Sequence, residues 1–398
     1  MAHMYYPDEG KLISAGFKSV AHVPIIFSHE NNYLREANWY LRERATGRHN
    51  QNGSVRKRRF LARSSIEAIG RALTNFLTWC EVEEIDWKSA SYDDHVLLYR
   101  DQMESGQWSE DGHPLAPRTF EKRVDYVCQL MTWAVSKGLR NSFVFPIVET
   151  ARTIRTGENS QSVIQKSERR ADRRRMNPIE LRLPTEDELE RWLSAIKTRH
   201  TYSKHLLIRF IIHTGCRISE ATSFQIDDLP DEENARIFGG WVKIFLVHGT
   251  KGNKPRLIDV PISLYKELIL YKKFRRLKAL RAYRDNNPKT PDPSELFLSE
   301  YYGTAQTNRT IQRAWEYERP FDGFSPHSGR HVWACFTLLD FFHNNIDRKL
   351  HDDVIHEVGV TALNTIIKPQ LGHVDESTTQ IYLRWAMNEV VRQIRTAC

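Results

Sequence analysis

The chain has 398 residues, 40% hydrophobic and 11% aromatic, with 58 Lys and Arg, 50 Asp and Glu, and a formal net charge of +8. That length exceeds one average domain and predicts two or three, while the apolar share excludes wholesale disorder. The basic surplus suits a polyanionic partner such as nucleic acid, and fits an ordinary basic surface equally well.

The five cysteines, Cys80, Cys128, Cys216, Cys335 and Cys398, are odd in number and scattered, with no zinc-ligand spacing. They read as reduced thiols of a cytoplasmic protein. No apolar run approaches about 18 residues and no signal-peptide core is present, so neither membrane insertion nor secretion is expected. Met1-Ala2-His3 reads as an appended leader without a structural role.

Residues 1–60 show no sustained periodicity and end in Arg56-Lys57-Arg58-Arg59, so an N-terminal arm or extension is expected. The basic run is as consistent with a solvated surface as with DNA contact. From Ser64, Ile66, Ile69, Leu73, Phe76, Leu77 and Cys80 recur at helical steps. Ser91 can cap a second helix. Pro117 opens a third, burying Phe120, Val124, Val127, Leu130, Met131 and Ala134 and stopping at Gly138. Its other side offers Arg118, Lys122 and Arg123 to DNA. These segments predict a helical domain over 61–150. Residues 151–182 read as a basic linker, with Arg173, Arg174 and Arg175 as further candidate DNA contacts or as solvated charge.

A second domain, 183–398, opens at Thr185, which with Glu188 can make a capping box for a helix over 186–197. An apolar helix over 206–212 follows. Strands over 242–247 and 257–260 flank a turn and form a hairpin, and helices dominate from Leu264 onward. The very basic stretch 271–284 is expected to face solvent. The fold class is therefore mainly α with a small β-sheet.

Four short segments carry candidate chemistry. In His213-Thr214-Gly215-Cys216-Arg217-Ile218-Ser219-Glu220, a helix ends at a glycine and another begins at Arg217, where an arginine suits a bound phosphate. Glu220 can hold it, although alone the pair reads as a surface ion pair. In Gly249-Thr250-Lys251-Gly252-Asn253-Lys254-Pro255-Arg256, Lys251 at a hairpin tip can protonate a leaving oxygen, although turn lysines commonly serve solubility. In Pro326-His327-Ser328-Gly329-Arg330-His331, His327 and Arg330 share a helical face and can clamp phosphoryl oxygens. A metal site is disfavoured because no acid lies beside them. Finally, Leu371-Gly372-His373 is followed nine residues later by Tyr382, which can attack phosphorus if cations favour its ionised form.

Taken together, Arg217, Lys251, His327-x-x-Arg330, His373 and Tyr382 resemble the active-site signature of the tyrosine recombinases, or phage-integrase-type recombinases. "TGCRISE", "TKGNKPR" and "LGH" before the tyrosine are the strongest local matches, over about 184–398. The resemblance implies a core-binding domain and a catalytic domain clamped on DNA. It implies that Arg217 and Arg330 bind the scissile phosphate and that Lys251 protonates the departing 5′-hydroxyl. His327 would assist proton transfer, His373 would donate to the phosphate, and Tyr382 would form a 3′-phosphotyrosine, with Glu220 in support. It further implies site-specific recombination of double-stranded DNA, by an integrase or mobile-element transposase acting through a Holliday junction. The protein would act as a dimer per site and a tetramer in synapse, without metal, ATP or other cofactor. A bacterial or phage origin and a cytoplasmic, nucleoid-associated location follow. A type IB topoisomerase-like enzyme, or a DNA-binding protein that has lost catalysis, are the alternatives.

Three features depart from that pattern. Gly329 stands where the family usually has a bulky apolar residue. The 42 residues between Arg330 and His373 exceed the usual interval, so an insertion over 341–364 is expected. Only 16 residues follow Tyr382, enough for one helix whose stripe would be Met387, Val390, Val391 and Ile394, docking on a neighbouring copy or folding back.

Overall fold

The computed structural model describes residues 1–48, 60–156, 161–174, 181–250, 254–345, 352–372 and 377–396. The chain divides into two units, Met1–Pro178 and Ile179–Cys398. No helix among the described residues is long and apolar enough to cross a membrane.

The first unit is built on three helices whose apolar periodicity the sequence displays: α3 (Arg63–Val82), α4 (Leu97–Ser105) and α5 (Pro117–Ser136). Pro117 occupies the first turn of α5, where its missing N–H is not needed. A wide turn, Tyr92–Val96, leads into α4, and the Ser91 hydroxyl accepts from the Asp94 N–H at 3.2 Å.

Residues 1–48 form part of this unit rather than a separate extension. Strand β1 (His3–Tyr5) pairs antiparallel with β2 (Ile25–Phe27). After the short helix α1 (Glu9–Ser14), α2 (Arg35–Ala45) buries Ala37, Tyr40 and Leu41 against Ile66, Leu73 and Trp133. Ala2, in the expected leader, is buried, and its carbonyl accepts from the Thr78 hydroxyl. The apolar contacts here are spread singly over turns, which hides them from a search for periodicity. The basic run at 56–59 lies outside the described residues.

The stretch expected as a linker contributes to a hairpin, β3 (Ile147–Thr156) with β4 (Gln161–Arg170), in continuous register from Ile147 opposite Arg170 to Thr156 opposite Gln161. Its β-branched content, Ile147, Val148, Thr150, Thr153, Ile154, Val163 and Ile164, suits extended backbone, and the charges mask that signal. The β4 end is anchored by a buried cation. Arg170 is 3% exposed, pairs with the equally buried Glu121 of α5, and donates to the Tyr92 hydroxyl at 3.1 Å. Burial pulls the Arg170 pKa down, against the favourable influence of Tyr92 and Asp172.

The second unit centres on α7 (Tyr202–Thr214), which buries Leu206, Leu207, Ile208, Phe210, Ile211 and Ile212 and so is covered on most sides. It follows α6 (Glu186–Arg199), whose Thr185–Glu188 capping box is formed, with bonds of 2.9 and 3.2 Å. After the short helix α8 (Ile218–Thr222), a three-stranded antiparallel sheet of order β5-β6-β7 packs on this core. It comprises β5 (Ile237–Phe238), β6 (Trp241–Leu246) and β7 (Arg256–Pro261), with Val242, Ile244, Leu246, Ile258 and Val260 pointing inward.

Helices α9 (Ile262–Leu270) and α10 (Arg276–Asn286) follow. The basic stretch 271–284 is only partly exposed: Tyr271, Arg276, Ala279 and Leu280 are buried. Arg276 donates to the Glu295 carbonyl at 3.0 Å and that of Pro293 at 2.6 Å. Its charge is thus used to terminate loop carbonyls inside the fold.

Beyond α11 (Asn308–Trp315), α12 (Pro326–Asn345) runs 20 residues. The expected insertion lengthens α12 and builds α13 (Asp352–Ala362), which continues through a wide turn into α14 (Lys368–Leu371). Residues 346–351 lie outside the described set. The last helix, α15 (Ser377–Thr396), folds back within the unit. Tyr382, Leu383, Ala386 and Val390 join Leu338 and Phe342 of α12 and Ala362, Leu363 and Ile367 in one cluster. Val391, expected in the buried stripe, is exposed because the buried face runs through Tyr382, Leu383, Ala386 and Val390.

Removing one partner of the buried pair strands the other's charge. Arg170→Ala is expected to destabilise the first unit by about 3–5 kcal/mol. Arg174→Ala, which breaks an exposed pair with Glu104, is expected to cost less than about 1 kcal/mol. Denaturant midpoints of the two variants check this.

Candidate active site

Helix α7 stops at Gly215, whose φ of +63° is left-handed backbone that glycine adopts without strain. A Cβ there would lie 2.8 Å from side-chain atoms of both Trp333 and Leu371, so α12 and α14 press directly on this turn. The turn delivers Arg217 to the start of α8. Its backbone N–H donates to the Glu220 carboxylate at 2.7 Å and its guanidinium at 2.9 Å.

Glu220 is fully buried and accepts from Arg256 as well, at 2.6 and 2.7 Å. Burial alone would raise its pKa, but the hydrogen bonds and charge of Arg256, with those of Arg217, hold it below the ordinary carboxylate range. Arg256 also donates through Nε to the Gln370 carbonyl at 2.7 Å. The Gln370 amide bonds the Thr214 carbonyl at 3.0 Å, the Asp259 carbonyl at 3.0 Å and the Asp259 N–H at 2.7 Å. One side chain thereby ties together α7, β7 and the segment that leads to His373.

The loop between β6 and β7 approaches the same place. Gly249, at φ +68°, lies so close to Ser219 that a Cβ would be 2.3 Å from that residue's carbonyl oxygen. The Ser219 hydroxyl donates to the Gly249 carbonyl at 3.1 Å. Lys251 lies outside the described residues, as does His373.

Helix α12 supplies the second arginine. Arg330 is 1% exposed and donates to the carbonyls of Gly215, at 2.7 Å, and Leu371. Burial, then the charges of Arg217 and Arg256, pull its pKa down to about 10, so it stays charged at neutral pH. The neighbouring Gly329 departs from the family pattern for a packing reason. A Cβ would sit 2.6 Å from the Trp315 ring and 3.0 Å from Ile212, so the indole fills the space a larger residue would take. His327 is exposed, with its ring 4.6 Å from that of His331.

Tyr382, in the second turn of α15, is 1% exposed, and its hydroxyl lies 3.0 Å from Nδ1 of His331. Burial pushes its pKa up to about 12, while the charges of Arg330 and Arg217 act in the opposite direction. The phenol therefore sits within the field of both arginines. Among the sequence-predicted residues, Arg217, Glu220, Arg330 and Tyr382 share one neighbourhood, with His327 at its exposed edge. Arg256, Gln370 and His331 belong to it too and were not singled out from sequence. His331 could have been, because it is one helical turn from His327 on the same face. Among the described residues no group of three His, Cys, Asp or Glu side chains forms a candidate metal cluster.

Residues 182–338 match the model of the phage integrase family. This part of the second unit is similar to the phage integrase family. Curated relatives of this chain include tyrosine recombinase XerA of Pyrococcus furiosus, 28% identical over 218 residues, covering 54% of this chain and 62% of that protein. XerC of Lactobacillus leichmannii is 27% identical over 198 residues, covering 49% and 55%. The matches thus span little more than half the length of these relatives. Similar solved structures include XerH bound to palindromic difH, with TM-score 0.49, 17% identity and coverage of 83% and 79%. The Tn1549 transposon integrase with circular intermediate DNA has TM-score 0.49, 15% identity and coverage of 89% and 98%.

In the first unit, Arg118 and Lys122 are exposed, Lys122 over the Tyr126 ring. Arg123 is half-buried and donates to Asn75 at 3.1 Å. Arg173 pairs with Asp125, and Arg174 with Glu104 at 2.9 Å, so acids already hold both. Arg175 lies outside the described residues.

Two outcomes follow for the second unit. Gly329→Leu is expected to overpack the Trp315 contact and cost about 1–3 kcal/mol, seen as a lower melting temperature. Because Glu220 has a depressed pKa in the fold, its stabilisation is present at neutral pH and is lost as pH falls through that depressed value. Glu220→Gln should melt lower than the parent at neutral pH, and the gap should narrow on acidification below the ordinary carboxylate range.

Proposed function

We propose that the protein is a site-specific DNA recombinase, an integrase or mobile-element transposase, that cleaves and rejoins DNA through a phosphotyrosine intermediate. The observation that carries this reading is the placement of a buried tyrosine hydroxyl in the field of two arginines presented by separate helices. Phosphoryl transfer chiefly demands fixed cations around the charge that develops on the phosphoryl oxygens.

In this reading Arg217 and Arg330 bind the non-bridging oxygens of the scissile phosphate, and Glu220 holds Arg217. The Tyr382 oxygen attacks phosphorus, forming the O–P bond as the bond to the 5′-oxygen breaks. Lys251 gives that oxygen a proton, while His327 and His373 donate to the phosphate or assist proton transfer. The phosphodiester energy is kept in the phosphotyrosine, so rejoining needs no ATP. Two protomers occupy each recombination site of double-stranded DNA and four form the synapse, exchanging strands through a Holliday junction. We place this activity in the cytoplasm of a bacterial host, on the nucleoid. The candidate DNA contacts in the first unit are Arg118 and Lys122, which are exposed, and Arg174, which is exposed but paired with Glu104.

Nicked suicide duplexes built from the inverted-repeat DNA flanking the gene test this on a denaturing gel. A covalent protein–DNA band is expected with the parent and none with Tyr382→Phe. Arg217→Ala or Arg330→Ala should slow its formation by about 10²–10³-fold. Adducts on arbitrary duplex would mark a topoisomerase-like enzyme, and binding without any adduct would mark a DNA-binding protein that lacks the chemistry.

A further inference from the structure

We propose that His331 is the base that takes the phenol proton of Tyr382 as its oxygen attacks phosphorus. This rests on the recombinase reading above and adds to it a residue outside the sequence-derived set. The hydroxyl oxygen and Nδ1 are 3.0 Å apart, within the range for direct proton transfer. The imidazole is held on both sides, with its ring 4.6 Å from that of His327 and 5.5 Å from that of Tyr382. It also follows Arg330 in α12, so one rigid helix presents a phosphate-binding guanidinium and the proton acceptor at consecutive positions. A base carried this way keeps its distance to the phosphate fixed while the tyrosine helix packs against it.

The electrostatics fit a base that acts only when DNA is present. Burial, and then the nearby charges of His327 and Arg330, push the His331 pKa down to about 4, so the ring is neutral and can accept a hydrogen bond. Tyr382, at about 12, keeps its proton in the same surroundings. A phosphodiester lodged between the arginines brings a negative charge next to this cluster. That charge offsets the cationic influence that depresses the imidazole and makes the ring a stronger acceptor. The balance of the step is complete. The O–H bond breaks with its proton going to Nδ1, the freed electron pair forms the O–P bond, and the 5′-oxygen leaves with the P–O pair and takes a proton from Lys251. One imidazolium and one neutral lysine result, and rejoining returns both protons.

The test uses the full chain on the same nicked duplexes, and on versions with sulfur replacing the 5′-bridging oxygen, a leaving group that needs no proton. His331→Gln keeps a hydrogen-bonding side chain but cannot serve as the base. It should bind the duplex as the parent does and form adduct about 10²–10⁴-fold more slowly on both substrates. Lys251→Ala should recover on the sulfur substrate only. Added imidazole should restore adduct formation to His331→Gly in a dose-dependent way, a recovery that a folding defect would not show. The proposal is overturned if His331→Gln cleaves at close to the parental rate, if the sulfur substrate restores it, or if imidazole leaves His331→Gly inactive. A parent that forms no adduct on any duplex overturns the recombinase reading itself, an outcome distinct from these.

Discussion

A single buried carboxylate organises the second unit. Glu220 has no access to solvent, and Arg217 and Arg256 both spend hydrogen bonds on it. A lone buried carboxylate would be too costly to stay ionised. Two guanidiniums make it tolerable, and in return the carboxylate fixes both of them. Arg217 is thereby stiffened at the start of α8, and Arg256 is turned toward Gln370, which closes the circuit to the last helical segments. Segments 36 to 156 residues apart in sequence meet around this one charge.

Arg330 is set by a different device. Among the described residues no carboxylate pairs with it, and it uses main-chain oxygens at Gly215 and Leu371 instead. Carbonyl partners orient a guanidinium without neutralising it. The two arginines therefore differ in character: one is braced by a counter-charge, the other keeps its full positive field where the tyrosine lies.

Much of this was legible in the sequence. Apolar spacing gave α3, α5 and α7 to within a few residues, and Thr185 and Glu188 form the expected capping box, because these features are local. What escaped was non-local. Residues 1–48 contribute isolated apolar side chains, such as Ile26 and Tyr40, whose partners Ile66 and Trp133 lie far along the chain. The hairpin was hidden by charge, and its Arg170 is buried only because Glu121 waits on another element. Gly329 looks anomalous until Trp315, 14 positions earlier, is seen to occupy its side-chain space. Gln370 carries no signal by itself, since its role consists entirely of what it bridges.

The helix that bears Tyr382 continues without interruption into Leu383, Ala386 and Val390, which are sealed against α12 of the same subunit. The phenol is therefore not on a free tether. Lending it to a neighbouring copy would mean peeling an entire apolar seam from its own core, at the expense of the cluster that also seats Phe342 and Ala362. Each copy in this conformation keeps Tyr382 within its own fold.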